Sequence, residues 1–140
     1  MTKVPSLGVR AWLRLARVYH KVDRASAQHL RGWGLSVAQF DVLVRVGSRP
    51  GMTQQELAGA LLVTKGNVCQ LLDRMEADGL IERRREGRAK RLHLTPRGAT
   101  LFAEVVPAQE RVVEQQFGVI DPAAQEELLS LLRRMDRRVQ

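Results

Sequence analysis

Hydrophobic positions recur at helical spacing along most of the chain, and residues 7–31 show the pattern most clearly. Apolar side chains cover most of the circumference of this segment, an arc too wide for one core-facing side. The pattern therefore predicts a helix that packs against two surfaces, its own domain and a partner subunit. The remaining narrow stripe is basic, and we interpret it as a solvated face. It consists of Arg10, Arg14, Arg17, Lys21 and Arg24.

Start and stop signals divide the rest of the chain into further helices. The predicted starts are Ser36 with Gln39, Thr53 with Glu56, Thr64, Thr95 before Pro96, and Asp121 before Pro122. These signals predict helices over residues 36–46, 54–61, 65–78, 96–118 and 122–139. The first of them is expected to end before the turn at Gly47–Gly51.

Residues 80–94 follow a different pattern, with two partly alternating runs on either side of Glu86–Gly87. Such a pattern predicts a small β-hairpin. Two short helices in tandem followed by a hairpin make up a winged helix-turn-helix. The predicted fold is mainly α, with six helices and a small β-wing in one domain over residues 1–140. We expect the DNA-binding lobe at residues 36–95 and dimerisation helices at residues 7–31 and 96–139.

The helix over residues 65–78 separates into a buried and an outward face. Counted from Val68 at about 100° per residue, apolar side chains share one side and polar side chains cluster opposite. Amide and guanidinium groups suit base edges and phosphates, whereas a solvated helix would more often carry Glu and Lys there. The residues expected to contact DNA on this helix are Thr64, Lys65, Gly66, Asn67, Gln70 and Arg74.

The charge of the chain is strongly positive and unevenly distributed. Lys and Arg number 23 against 15 for Asp and Glu, a formal net charge of +8. Such a balance indicates a polyanionic partner, nucleic acid or an anionic membrane. Residues 82–97 alone hold seven basic and two acidic side chains, which favours a wing lying along DNA. The expected wing contacts are Arg83, Arg84, Arg85, Arg88, Lys90 and Arg91, with Arg88 in the minor groove.

Several classes of protein are excluded by the composition. No apolar run reaches the ~18 residues of a membrane span, and the first residues lack the apolar core of a signal peptide, so a cytoplasmic location is expected. A single cysteine and three histidines leave neither a disulfide framework nor a structural zinc site. We find no catalytic constellation, and we expect neither an enzyme nor a cofactor.

Three stretches of sequence carry a resemblance to a known family. Residues 71–76 (LLDRME), 79–83 (GLIER) and 92–98 (LHLTPRG) are similar to motifs of the MarR family of bacterial transcriptional regulators, over about residues 10–138. The resemblance implies a dimer with interlocking terminal helices, a recognition helix at residues 64–78 in the major groove, and a wing at residues 81–94 in the minor groove. It also implies repression relieved by a small aromatic or phenolic ligand.

The resemblance places a ligand pocket between the first two helices, the fifth helix and the DNA-binding lobe. An ordinary aromatic core with a surface His and Asp explains the same residues equally well. The candidate pocket residues are Trp12, Tyr19, His20, Phe40 and Asp41.

The sequence departs from the family at three places, one of which is Leu62, at the turn position where helix-turn-helix sequences often carry Gly. The wing loop reads Glu86–Gly87–Arg88 where a longer loop with Asp-x-Arg is common, and Cys69 stands where Ser or Thr is common. A redox-switched repressor using Cys69 is one alternative function, although no basic residue at helical spacing activates the thiol, which favours an inert, partly buried cysteine. The other alternative is an architectural DNA-binding protein that needs no ligand.

Overall fold

The order of elements matches the predicted winged helix-turn-helix. The computed structural model describes residues 3–61 and 65–139. Within these ranges the elements are α1 (Leu7–Arg31), α2 (Val37–Ser48), α3 (Gln54–Ala60), α4 (Lys65–Ala77), β1 (Ile81–Glu86), β2 (Ala89–Leu94), α5 (Pro96–Phe117) and α6 (Pro122–Arg138). The predicted fold class, mainly helical with a small β-wing, is confirmed.

The helix starts show how the capping signals act. The Ser36 hydroxyl accepts from the Gln39 backbone N–H at 3.1 Å, and the Gln39 carboxamide oxygen accepts from the Ser36 N–H at 2.9 Å, which completes a capping box. Only half of the second box forms, because Thr53 caps the Glu56 N–H while the Glu56 carboxylate lies 3.4 Å from Arg49. The Ser36 and Thr53 hydroxyls thus each accept from one first-turn N–H group, those of Gln39 and Glu56.

Helix α2 extends to Ser48, beyond the expected end at Val46. Gly47 lies inside the helix, at a point where α5 packs closely against α2. A Cβ at this position would lie 2.6 Å from the Phe102 ring, so a larger residue would not fit. The glycine is therefore a site of close packing rather than a helix terminator.

The hydrophobic core lies between α2, α3, α4 and the root of the wing, with one end of α1 and the middle of α5 closing it. Its most deeply buried side chains are Leu30, Leu43, Leu57, Leu72, Met75, Ile81, Leu92, Val42, Val46, Val68 and Val105. Because the outer side of α4 takes no part in this core, that side remains free to meet a ligand.

The hairpin is antiparallel, and its last pair is Glu86 opposite Ala89, so that Gly87–Arg88 forms the turn. Gly87 has φ +62°, a left-handed conformation that glycine adopts without strain. Residues 51–53 extend the sheet: the Gly51 N–H donates to the Leu92 carbonyl at 2.9 Å, and the Leu92 N–H donates to the Met52 carbonyl at 2.8 Å. The start of α3 is thereby attached to the wing.

The first part of α1 and all of α6 pack against little of their own chain. No residue of α6 is buried, and α1 buries only Ser26 and Leu30. Large apolar side chains are consequently exposed, among them Trp12 at 63% and Met135 at 55%. Of the helices that the structure describes, none is both long enough and apolar enough to cross a membrane.

Candidate nucleic-acid interface

Helix α4 presents a polar face to solvent and buries the opposite one. Val68, Leu72 and Met75 are at most 1% exposed, while Asn67, Gln70 and Arg74 are exposed. The three outward side chains lie on the side that the helical spacing predicts. Of the other expected contacts on this helix, Thr64 lies outside the described residues, as do the side chain of Lys65 and the exposure of Gly66.

The root of the wing is attached to α4 through Arg83. Its guanidinium Nη2 lies 2.6 Å from Asp73 Oδ1, and its backbone N–H donates to Glu76 Oε2 at 3.2 Å. The Arg83 side chain is only 15% exposed. Arg83 is therefore occupied in positioning the wing, and it is a poorer candidate for a phosphate contact than the sequence suggests.

One face of the hairpin is neutralised by ion pairs. Arg84 and Arg91 lie directly opposite each other on the two strands, an arrangement in which like charges repel. Each has a carboxylate partner: Arg84 Nε is 2.7 Å from Glu82, and Arg91 Nε is 2.9 Å from Glu86. Arg91 also donates to the carbonyl of Gly51 at 2.9 Å. This face thus contributes little net charge.

The unpaired positive charge of the hairpin is concentrated at its tip. Arg85, Arg88 and Lys90 are exposed and form no ion pair with any part of the chain that the structure describes. Arg85 and Lys90 are a cross-strand pair, and Arg88 occupies the adjoining turn. Cations without internal partners are the ones available to phosphates. We call these three residues the wing tip.

A cleft of about 630 Å³ joins the wing tip to α3 and α4. Arg88 and Lys90 line one side, and Gln54 and Cys69 line the other. Cys69 is exposed, so the expectation of a partly buried thiol is wrong; the Gln54 Nε2 lies 3.2 Å from its Sγ. Since Arg88 and Lys90 share this cleft with α4, the helix and the wing form one continuous surface that combines hydrogen-bonding groups with free cations.

A second cleft, of about 580 Å³, lies between α1, α2 and α5. Of the candidate pocket residues, Tyr19, Phe40 and Asp41 line it, whereas Trp12 and His20 do not. On α1 the lining residues follow one helical stripe through Tyr19 and Ser26. His20 lies about 100° around the helix from Tyr19, and Trp12 lies roughly 10 Å further along the axis. The position of a residue on this stripe of α1, rather than its aromatic character, determines whether it lines the cleft.

Two polar groups for which the sequence pattern gives no signal complete this cleft. Ser26 and Gln109 are 8% and 5% exposed and both contribute to its lining. The Trp33 indole N–H donates to His29 Nε2 at 3.3 Å, so the His29 Nδ1–H donates to the Gln109 carboxamide oxygen at 2.8 Å. Partial burial raises the pKa of Asp41 above 3.8; nearby Arg45 opposes this shift and Asp23 adds to it.

Comparison with known proteins gives consistent results. The sequence profile of the MarR family matches residues 33–92, which cover the recognition helix and most of the wing. An uncharacterised HTH-type transcriptional regulator from Bacillus cereus is 34% identical over 104 residues, spanning 74% of this chain and 71% of the relative. The family and its curated relatives regulate transcription and are not enzymes.

Solved structures share the fold. A MarR family transcriptional regulator from Streptomyces coelicolor superposes with a TM-score of 0.87 at 21% identity, covering 99% of this chain and 98% of that one. An organohalide-sensing transcriptional regulator in its 2,4-dichlorophenol-bound form superposes with a TM-score of 0.86 at 24% identity, covering 97% and 83%. With its polar recognition face, its braced wing and these relatives, the chain belongs to the MarR family of winged helix-turn-helix DNA-binding transcriptional regulators.

Proposed function

We propose that this protein is a homodimeric repressor that binds a pseudo-palindromic DNA operator. The observation that carries the proposal is the exposed face of Asn67, Gln70 and Arg74 beside the unpaired wing tip. Side-chain amides can form two hydrogen bonds to an adenine edge, and a guanidinium can do so to guanine. A base-reading helix next to free cations is an arrangement suited to specific duplex binding.

In this proposal α4 enters the major groove and the wing tip meets the flanking phosphates. Arg88 occupies the turn and is the side chain best placed to enter the minor groove, where narrow tracts attract a guanidinium. Arg84 contributes weakly because Glu82 neutralises it, while Arg83 and Arg91 position the wing. Thr64, Lys65 and Gly66 remain proposed contacts from sequence alone.

The exposed area of the chain supports a dimer. A compact monomer of 15.8 kDa exposes about 7,300 Å². This chain exposes 10606 Å². The excess is about 3,300 Å², and most of the large apolar side chains that lie exposed are on α1 and α6. We propose that residues 7–31 and 96–139 form the dimer interface, which would set two recognition helices about one turn of DNA apart.

An effector that releases the repressor from DNA is part of the proposal. The cleft between α1, α2 and α5 has a size typical of small-molecule sites and touches both the dimerisation helices and the DNA-binding lobe. A relative with this fold has been solved with 2,4-dichlorophenol bound. We infer a small aromatic effector and no cofactor. The role in transcription would place the protein in the cytoplasm.

Sequence specificity distinguishes the repressor from an architectural protein. An operator is first selected from a random duplex pool, and its binding and that of scrambled DNA are measured by fluorescence anisotropy. Replacing Asn67 and Gln70 together by Ala should lower the ratio of the two affinities by at least about 10-fold while salt-sensitive binding persists. Gln28→Ala, an exposed amide on α1, is the control and should leave the ratio unchanged. An unchanged ratio in the double variant would favour the architectural function.

A redox switch through Cys69 is the second candidate, favoured by the exposure of its thiol beside Arg88 and Lys90. A peroxide would convert the thiol to a sulfenic acid and release water. The polar group would then lie in the DNA-facing cleft. If the Cys69→Ser variant dissociates from DNA on peroxide treatment as the wild type does, this candidate is rejected.

A further inference from the structure

The cleft between α1, α2 and α5 is acidic, although the protein as a whole is basic. Its lining includes four carboxylic acids, Asp23, Asp41, Glu110 and Glu114. Within the described residues, no Lys, Arg or His lines it; Arg45 acts on Asp41 from outside the lining. In a chain with a net charge of +8, this is a local reversal of sign.

The same cleft contains an unused hydrogen-bonding group and apolar walls. Ser26 is 8% exposed, contributes to the lining, and its hydroxyl makes no hydrogen bond to any described residue. Tyr19 and Phe40 contribute aromatic surface, and Val106 and Leu30 contribute aliphatic surface. The Ser26 hydroxyl is accessible from the cleft, so a molecule bound there could form a hydrogen bond with it. The cleft is therefore built for an occupant that is largely apolar.

We infer that this cleft binds an amphiphilic organic cation, a quaternary ammonium or phosphonium carrying aromatic groups, and that it discriminates against phenolates and carboxylates. A cation there is attracted by carboxylates on three helices and by the aromatic faces of Tyr19 and Phe40. An anion of the same shape could make the same apolar contacts but would be repelled by the carboxylates. The inference names the chemical class of the proposed effector, and it rests on the proposed function only for the consequence that binding releases DNA.

The ionisation of Asp41 agrees with this assignment. Partial burial disfavours its charged form and raises its pKa. A bound cation would favour the charged form and lower the pKa again. Binding of a cation should consequently release protons from the protein below neutral pH.

Tetraphenylphosphonium and tetraphenylborate test the inference because they share one shape and carry opposite charges. Isothermal titration calorimetry of the full-length protein without DNA should show tighter binding of the phosphonium, by at least about 10-fold. This preference opposes the net charge of the protein, so non-specific attraction cannot produce it. Equal affinities, tighter binding of the borate, or no binding of either ion would overturn the inference.

Two variants on different helices locate the site. Asp41→Asn on α2 and Glu114→Gln on α5 should each weaken phosphonium binding by about 3- to 10-fold and strengthen borate binding. Glu104→Gln, also on α5 but outside this cleft, is the matched control and should change neither affinity. Circular dichroism establishes that each variant is folded. Phosphonium binding that is equal in all three variants would overturn the assignment to this cleft.

DNA anisotropy separates this inference from the proposed function. If the protein binds its selected operator but prefers the borate, the proposed cation site is wrong and the proposed repressor function is unaffected. A protein that prefers the phosphonium but shows no specific DNA binding would overturn the repressor and leave the cation site standing. If both hold, phosphonium should lower operator affinity in the wild type and less so in Asp41→Asn.

Discussion

Arg83 in the first strand of the wing and Asp73 on the recognition helix form an ion pair of 2.6 Å that ties the two DNA-facing elements together. Glu76, one helical turn from Asp73, accepts the Arg83 backbone N–H. Asp73 is 68% exposed, so solvent weakens the pair. The Arg83 side chain is mostly buried, and its guanidinium forms no ion pair with any other carboxylate among the described residues. The pair therefore fixes the angle of the wing more than it stabilises the fold.

Asp73→Asn should loosen the wing. We expect a loss of about 1 kcal/mol in the free energy of unfolding, measured by urea denaturation, and weaker operator binding measured by anisotropy. Asp78→Asn removes a carboxylate just beyond the same helix and serves as the control for charge. Removing a negative charge near DNA should by itself tighten binding. If Asp73→Asn tightens binding as Asp78→Asn does, the pair does not position the wing.

The wing tip should determine the salt dependence of DNA binding. Each of Arg85→Ala, Arg88→Ala and Lys90→Ala should reduce the slope of log K against log salt concentration by about 0.9, the value for one lost phosphate contact. Arg91→Ala is the contrasting variant, because this arginine is bonded to Glu86 and to the Gly51 carbonyl. It should lower the melting temperature and leave the slope nearly unchanged. Equal slope changes in all four variants would contradict the distinction between the wing tip, which contacts phosphates, and Arg91, which holds the wing in place.

The fold was more accessible from sequence than the roles of the individual arginines. Helix starts depend on residues three apart, as in Ser36 and Gln39, and such local signals can be recognised directly. Arg83 and Arg85 look alike in the sequence, but Arg83 meets a carboxylate ten positions earlier that only the packing of β1 on α4 brings near. Interactions between distant segments decided which cations remain free.

The cleft between α1, α2 and α5 shows the same limit. Tyr19, Phe40 and Asp41 could be selected because aromatic and acidic side chains are conspicuous. Ser26 could not be selected, since a serine inside a helix gives no functional signal until its neighbours in the fold are known. The pairing of Gly51–Thr53 with β2 was likewise missed, because the segment is too short for strand periodicity to show.

The exposed apolar side chains of α6 should be needed for dimerisation. Leu129 is 47% exposed, and Leu129→Glu would bury a carboxylate in the proposed interface, which costs several kcal/mol. Light scattering after size-exclusion chromatography should give twice 15.8 kDa for the wild type and a shift toward 15.8 kDa for the variant. Glu127→Gln on the same helix is the control and should stay dimeric. A wild-type protein that is monomeric at micromolar concentration would contradict the proposed interface.

Gly98 should be required by the contact between α5 and the root of the wing. A Cβ at this position would overlap the carbonyl oxygen of Leu80, and backbone there cannot move aside easily. Gly98→Ala should therefore destabilise the protein by about 2–4 kcal/mol, measured as a lower urea midpoint. Gly59→Ala is the matched control, because nothing lies within 4 Å of its Cβ position in α3. That variant should be neutral or more stable by up to about 1 kcal/mol. Equal effects of the two variants would show that the close approach is not a constraint.

The last prediction concerns Asp41 and pH. Its pKa in the folded protein is raised above 3.8 by burial, with Arg45 opposing and Asp23 reinforcing the shift. A group with a raised carboxyl pKa holds its proton more tightly in the folded state, so its protonation stabilises the fold. The contribution is greatest below pH 3.8 and is lost as the pH rises through the folded-state pKa.

Asp41→Asn imitates the protonated side chain and should be more stable than the wild type at pH 7. The difference should shrink as the pH falls and vanish below pH 3.8, where the wild-type carboxyl is neutral in both states. Thermal denaturation across this range measures it, with Asp78→Asn as the same change outside the cleft. A bound cation should reduce this difference at pH 7, because tetraphenylphosphonium should raise the melting temperature of the wild type more than that of Asp41→Asn. A variant that is less stable than the wild type at pH 7 would show that Asp41 is held by a favourable contact rather than strained by burial. Asp41 would in that case be a structural residue of α2, and its carboxylate would not be available to a ligand.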